Sequence, residues 1–316
     1  MKRLKTCGII AAAAACGIAS PRAIMAHGFE GNRFFPPTIQ TDDPFATDEF
    51  SFPNVQLFQD PPSPGGYRTR ELDYGAEFDK EIFPNFDLEF SDAFTTLNPK
   101  EGPSSNGFQN FTLGWKYELL QVPEHEFIFS VGTDWEIGGT GGKSIGSDSF
   151  STFTPTLYAG KGFGDLPDSV PMLKPFAITG LVGEDVPTEA ANPNALEWGF
   201  AVEYSLLYLE QYVKDTGMPH PFRDMIPLVE LAMQSPENRD GGTTTGTVNP
   251  GVLYESRYFQ AGIEAVIPIN KHSGENIGFV FNVNIFIDDL WPKIFGHPVF
   301  GNTETNVASN PPVSAK

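Results

Sequence analysis

Residues 111–119 read Phe-Thr-Leu-Gly-Trp-Lys-Tyr-Glu-Leu and alternate one by one between two kinds of side chain. The apolar positions are Phe111, Leu113, Trp115, Tyr117 and Leu119, and the polar or small positions are Thr112, Gly114, Lys116 and Glu118. A period of two is typical of a β-strand with two unlike faces. This stretch therefore predicts a strand that meets apolar surroundings on one face and polar surroundings on the other.

The same alternation recurs along the chain, with aromatic residues on the apolar face. The other stretches run over 70–79, 86–95, 126–138, 151–163, 173–183, 196–209, 224–234, 253–267 and 277–288, and the quoted stretch extends over 109–120. Most have the length of a tilted membrane strand. We therefore predict an all-β protein, an antiparallel transmembrane β-barrel with lipid outside and water or a ligand inside.

Link lengths suggest the topology. Short links follow alternate strands at 81–85, 121–124 and 270–275, and longer links rich in Gly, Pro and Ser follow the others at 98–107, 139–149, 184–194 and 235–250. Bacterial barrels have short periplasmic turns and long outer loops. Two further strands, 49–58 and 294–300, are needed to bring both ends to the periplasm, which predicts about twelve strands. Because both contain proline (Pro53, Pro298), ten strands is the fallback.

The first 26 residues have the features of an export signal. Lys2, Arg3 and Lys5 precede an apolar run over 7–20, and Ala26 precedes a cleavage point before His27. A lipoprotein signal ending before Cys16 is the alternative. Both cysteines, Cys7 and Cys16, lie inside this segment, so with ordinary cleavage the mature chain needs no disulfide.

The remaining chain divides into three parts. Residues 27–47 are polar and Pro-rich and predict either a periplasmic tail, which we prefer, or a plug in the lumen. Residues 48–301 form the predicted barrel, and 302–316 a polar tail. The whole chain has 20 basic and 40 acidic residues; four basic residues lie in the signal, which leaves 16 against 40 and a formal charge of −24. Such a surface repels nucleic acid and favours cations in an enclosed channel.

Polar residues on the inward face are the candidate pore lining. They are Glu71, Asp73, Glu77, Asp87, Glu89, Lys116, Glu118, Asp134, Glu136, Glu203 and Glu264. A slip of one residue in strand register would exchange the two faces, and the carboxylates could instead lie in loops. The five histidines have no metal-ligand spacing, and no Ser and His pair is distinguished. We therefore expect no metal, no cofactor and no catalytic site.

Several stretches resemble exported proteobacterial proteins of a broad group of outer-membrane transporters, which includes the meta-pathway phenol-degradation proteins. The resembling stretches are 27–36, 41–45, 135–141, 149–157 and 160–167. The resemblance implies an outer-membrane barrel and a passage for small organic or aromatic compounds. It carries no catalytic motif.

These observations predict a porin-like channel in the bacterial outer membrane that lets small solutes diffuse passively. Its expected partners are outer-membrane lipid and the solute, and its oligomeric state stays open. Two alternatives remain. One is a non-catalytic barrel that binds an apolar ligand in the periplasm or at the cell surface, and the other is a barrel-embedded hydrolase.

Overall fold

The computed structural model describes residues 28–61, 68–237 and 242–301, and strands make up more than half of these residues. The predicted signal segment and the tail 302–316 lie outside these described residues. A two-stranded hairpin of β1 and β2 precedes a large antiparallel sheet. The strands are β1 Phe29–Glu30, β2 Arg33–Phe34, β3 Glu49–Asp60, β4 Thr69–Phe83, β5 Phe86–Pro99, β6 Ser105–Phe108, β7 Thr112–Val122, β8 Phe127–Glu136, β9 Thr152–Gly162, β10 Phe176–Pro187, β11 Ala195–Tyr204, β12 Met225–Pro236, β13 Thr245–Glu255, β14 Phe259–Pro268 and β15 Gly278–Phe286.

Twelve strands of the large sheet form a closed barrel. The ring closes where β15 pairs with β3, with Phe281 opposite Val55. Neighbouring barrel strands are antiparallel and consecutive, and the short β6 pairs only with the end of β5. Closure gives each of the twelve barrel strands a partner on both sides, as hydrocarbon surroundings require. The predicted antiparallel twelve-stranded barrel is confirmed.

The outer face of the barrel carries large apolar side chains that are exposed. They include Leu57, Tyr74, Trp115, Leu157, Ile178, Val182, Phe200, Val229, Ile263, Phe279 and Phe281. The residues between them on each strand point inward and are mostly polar, small or acidic. An apolar outer belt on a closed antiparallel barrel is the form in which strands cross a lipid bilayer. Within the described residues, no helix has the length and apolar character needed to span a membrane.

The two rims of the barrel differ. β3 begins and β15 ends at the same rim, which we call the terminal end. The links at this end span 84–85, 123–126, 163–175, 205–224 and 256–258, and those at the opposite end span 61–68, 100–111, 137–151, 188–194, 237–244 and 269–277. Three terminal-end links are short, as expected of periplasmic turns, whereas 163–175 and 205–224 are longer.

The longer links contain most of the helical turns. The helical turns of the described residues, in all links and after β15, are the 3-10 turns Pro123–His125, Lys143–Ile145, Pro171–Leu173 and Phe222–Asp224, the α-helical turns Leu206–Tyr208 and Ile287–Leu290, and the π-type turn Leu209–Val213. Ser205 caps the first α-helical turn by accepting a hydrogen bond from the Tyr208 amide.

Two predicted elements are wrong and offset each other in the strand count. The stretch 253–267 is not one strand, because it contains the turn of a hairpin between β13 and β14, and β13 begins inside the predicted loop 235–250. The extra strand places the link predicted as a periplasmic turn at 270–275 at the opposite end. Residues 294–300 form no strand. They lie beside the end of β4, where Val299 N and Phe300 N donate to Glu81 O and Ile82 O at 3.1 and 2.8 Å.

Residues 28–48, which we call the plug, lie inside the barrel. Phe35 in the plug is fully buried and packs with Phe45, Ile128 and Ala177, the last two from β8 and β10. The plug reaches from the terminal end to about mid-barrel, where Thr41 contacts Glu230 of β12. The preferred prediction of a periplasmic tail for residues 27–47 therefore differs from the structure. The physical reason is that inward carboxylates bind the plug backbone, a partner that local sequence does not reveal.

Candidate functional site

All eleven candidate residues have their side chains on the inward face of the barrel. On β4, for example, Glu71, Asp73 and Glu77 alternate with outward residues such as Tyr74, which is 46% exposed. The structure divides the set by height. Glu71, Asp73 and Glu136 lie toward the opposite end, and the plug-level residues are Glu77, Asp87, Glu89, Lys116, Glu118, Asp134, Glu203 and Glu264.

At mid-barrel the plug is held by Glu230, which is fully buried. One carboxylate oxygen accepts a hydrogen bond from Ile39 N at 2.7 Å. The other accepts from Gln40 N at 3.0 Å and from both Thr41 N and Thr41 Oγ1 at 2.7 Å. Three consecutive backbone amides therefore converge on one side chain, and hydrogen bonds to a charged acceptor are stronger than neutral ones.

Two of the candidate pore-lining acids also bind the plug. Ala46 N donates to Glu118 Oε1 at 2.9 Å, and Thr47 N donates to Asp87 Oδ2 at 3.1 Å. On the other side of the lumen, Gln260 Nε2 donates to the plug carbonyl Pro37 O at 2.6 Å. These contacts satisfy backbone groups that would otherwise be buried without partners inside the barrel.

Arg33 fastens the plug to the terminal end. Its guanidinium is buried, lies 3.3 Å from Glu126 Oε2, donates to Pro175 O at 2.8 Å and stacks 3.9 Å from the centre of the Tyr208 ring. Tyr208 Oη in turn donates to Glu126 Oε1 at 2.9 Å. Gly164 N donates to Glu126 at 3.0 Å, and a Cβ at this glycine would overlap the carboxylate. Three terminal-end links therefore meet at a single plug side chain.

Three carboxyl groups of the plug have raised pKa values. Burial, followed by the nearby Glu118 carboxylate, raises the pKa of Glu30 to about 8. Burial raises the pKa of Asp48 to about 6, although its hydrogen bond from Lys80 acts in the opposite direction. Burial also raises the pKa of Asp43 well above its usual range. Because these groups lie in the plug, we expect its attachment to depend on pH.

Between the plug and the wall lies a cavity of about 40 Å³, which we call the acidic chamber. Its charged lining consists of Asp42, Asp43, Glu49, Glu77, Asp79, Asp87, Glu89 and Lys116. Lys116 Nζ lies 2.9 Å from Asp42 Oδ2 and 3.0 Å from Glu89 Oε1. It also lies 5.0 Å from the centre of the Tyr158 ring. One ammonium therefore faces seven carboxyl groups in this chamber.

Two further inward acids, Glu203 and Glu264, are 2% and 1% exposed. Among the described residues, neither carboxyl oxygen of Glu203 has a hydrogen-bond partner, and the carboxyl group of Glu264 lies beside that of Glu230. Within residues 28–61, 68–237 and 242–301, no group of three or more His, Cys, Asp or Glu is arranged to hold a metal ion. The lumen is thus strongly acidic and short of cations.

Sequence reasoning missed the residues that fix the plug, above all Arg33, Glu126 and Glu230. One signal was available: apart from His27, Arg33 is the only basic residue in 27–47, and it precedes two phenylalanines. A lone arginine beside apolar side chains is typical of a buried, paired guanidinium. Glu230 lies in the alternating stretch 224–234, and nothing local distinguishes it from other inward acids.

No family model matches the chain, and no curated protein sequence does either. Among solved structures, the COG4313 outer membrane channel from Pseudomonas putida F1 aligns with a TM-score of 0.51 at 11% identity, over 80% of this chain and 99% of that one. The KdgM porin aligns with a TM-score of 0.42 at 11% identity, over 75% and 98%. The NanC porin aligns with a TM-score of 0.43 at 9% identity, over 74% and 98%.

At these identities the likeness concerns the fold. A closed antiparallel ring with an apolar outer belt and a polar interior is the architecture of bacterial outer-membrane barrels. The outer membrane is accordingly the location of this chain. The resemblance to the meta-pathway phenol-degradation proteins is tested by none of these alignments and stays a prediction.

Proposed function

We propose that the chain is a passive outer-membrane channel for small solutes and that the plug closes it in the present conformation. The observation that carries the proposal is that the plug, which is not part of the barrel wall, fills the lumen. The barrel wall is complete, and the obstruction is a separate segment bound by polar contacts to Glu230, Glu118 and Asp87 and by the packing of Phe35 against the wall. Such a segment can leave the lumen without breaking any pairing between strands.

The charge of the lumen supports a preference among solutes. Inward acids outnumber inward cations, and Lys116 and Arg33 already have carboxylate partners. A low-dielectric wall lined by one sign of charge concentrates ions of the opposite sign. We therefore expect cations and uncharged molecules to enter and anions to be repelled. The extension to small hydrophobic or aromatic compounds comes from the family resemblance, and here it covers aromatic compounds that carry no negative charge.

Conductance of the purified full-length protein in planar lipid bilayers tests the proposal. Heat-modifiable migration on gels is the control that the sample is folded. We expect transient openings and, under a salt gradient, a reversal potential of the sign that indicates cation preference. Zero current from folded protein would remove the channel and leave the barrel, and anion preference would contradict the charge argument.

The same sample separates the alternatives. A protein recovered from the periplasmic extract without detergent would be the ligand-binding barrel, contrary to the apolar outer belt. Turnover of an ester substrate that a single Ser or His substitution abolishes would identify a hydrolase. Neither result is compatible with a passive channel as the main function.

A further inference from the structure

The acidic chamber has an unusual arrangement of carboxyl groups at its wall. Asp79 of β4 lies directly opposite Glu49 of β3 on one side and directly opposite Glu89 of β5 on the other. Side chains in directly opposite positions of an antiparallel pair have Cβ atoms roughly 4.5–5.5 Å apart, and like charges there destabilise the sheet. Three acids in one row across three strands therefore need a proton or a positive charge nearby to relieve their repulsion.

The two outer members of this row have partners. Glu89 pairs with the Lys116 ammonium at 3.0 Å, and Glu49 accepts a hydrogen bond from Asn284 Nδ2. The central member does not: Asp79 Oδ1 is buried without a hydrogen-bond partner in the part of the chain that the structure describes. Asp79 is 9% exposed and lines the chamber. A buried carboxylate left in this way is strongly unfavourable unless a proton or a cationic ligand neutralises it.

The surroundings of Lys116 indicate which kind of charged group the chamber can bind. Its ammonium is held between a plug carboxylate and a wall carboxylate and lies near the Tyr158 ring. An ammonium donates hydrogen bonds in several directions and is attracted to an aromatic face, so it suits this mixture of groups. A cavity of about 40 Å³ exceeds the roughly 10–15 Å³ that one water requires, but it leaves no room for a bulky cation.

We infer that the acidic chamber binds a small primary ammonium ion, with the Asp79 carboxylate as its principal partner. The inference rests on the proposed function, because it names small protonated amines as a solute class of the channel. The bound ion would supply the second positive charge beside Lys116. Because Asp42 belongs to the plug and Asp79 to the wall, an ion bound between them links occupancy of the chamber to the seated position of the plug.

Isothermal titration calorimetry of the full-length protein in detergent micelles tests the inference, with methylammonium chloride as the probe at low ionic strength. We expect saturable binding that is at least tenfold weaker in Asp79→Asn. The matched control is Asp185→Asn, the same change at an inward acid outside the chamber, which hydrogen-bonds to Thr154 and Gln234 and should bind as the wild type does. Equal affinity of the wild type and Asp79→Asn would overturn the inference.

A ligand series on the unmodified protein keeps the inference testable if Asp79→Asn does not fold. Methylammonium should bind, and tetramethylammonium, which is too large and has no N–H donor, should not. Binding of sodium with equal affinity would overturn the assignment to ammonium ions. Since calorimetry needs no membrane, the two proposals can fail separately: conductance without methylammonium binding ends this inference alone, and binding without conductance ends the channel alone.

Discussion

Glu230 is the residue on which the attachment of the plug most depends, because it accepts hydrogen bonds from three successive plug residues. In Glu230→Gln the side chain keeps one acceptor oxygen, but its amide group faces backbone N–H donors. The loss of hydrogen bonds to a charged group should weaken closure by about 2 kcal/mol, which makes the locally open state roughly 30-fold more populated and speeds amide exchange by the same factor. Hydrogen exchange at the amides of residues 39–41 measures this rate.

The control for that experiment is Glu136→Gln, the same change at an inward acid bonded to Asn110, far from the plug. Its exchange rates at residues 39–41 should match those of the unmodified protein. If Glu230→Gln also leaves these amides fully protected, Glu230 does not anchor the plug.

Glu30 makes plug attachment depend on pH. Burial and the Glu118 carboxylate raise its pKa from 4.5 to about 8 in the folded protein. The folded state therefore binds more protons than the released state between these values. The stabilisation is fully present below pH 4.5 and is lost as pH rises toward 8. We expect the plug to be more mobile at pH 9 than at pH 6.

A spin label reports this mobility. Both native cysteines lie within the first 26 residues, so after the predicted cleavage before His27, Asn32→Cys at the exposed tip of the β1–β2 turn would be the single labelling site. Adding Glu30→Gln should reduce the difference in label mobility between pH 6 and pH 9. An undiminished difference would assign the pH dependence to other groups, such as Asp48.

At the scale of elements, the alternation of apolar and polar residues identified the strands. The prediction failed where the residues of a turn gave too weak a signal to mark the end of a strand. The β13–β14 hairpin turns at residues 256–258, Ser-Arg-Tyr, where Ser256 is the one turn-favouring residue and acts more weakly than Gly, Pro, Asn or Asp, so the local signal that separates the two strands is weak. Pro250 and Gly251 also interrupt the pattern of β13. At the other end, the apolar residues of 294–300 satisfied the pattern but lie against β4, a contact that depends on tertiary structure.

The seam between β3 and β15 is the element that closes the barrel, and Val55 lies within it opposite Phe281. Val55→Pro removes a backbone donor from a strand that is paired on both sides. We expect a loss of folding free energy of about 1–3 kcal/mol from the carbonyl group left without its hydrogen bond. Urea titration of folding into lipid vesicles measures it. The control Thr243→Pro, in the link 237–244, should change the folding free energy little. If Val55→Pro and Thr243→Pro lower the folding free energy equally, the seam does not limit stability.

At the scale of the whole molecule, the barrel has a lipid-facing outer surface and a lumen that contains the plug. The sequence showed which residues face outward and inward, but it did not show the contacts between the inward residues and the plug. The inward direction of the candidate residues follows from period-two geometry, since fixing one outward aromatic such as Trp115 fixes Lys116 as inward. That the same residues surround a plug could not be derived, because Glu230 and Ile39 are 191 positions apart. Contacts between such distant residues are set by barrel closure, which no local pattern encodes.

The outer belt gives the most direct test of how the molecule sits in lipid. Ile263, in the middle of β14, is 51% exposed on the outward face beside Phe281. An arginine near the bilayer midplane of such a barrel costs roughly 2–4 kcal/mol, and near the interface about 0–1. Ile263→Arg should therefore lower the folding free energy in vesicles by the larger amount, and Asn276→Arg, in the link 269–277, by the smaller. Because a barrel folded in water would tolerate both substitutions equally, equal losses would show that this face does not meet acyl chains.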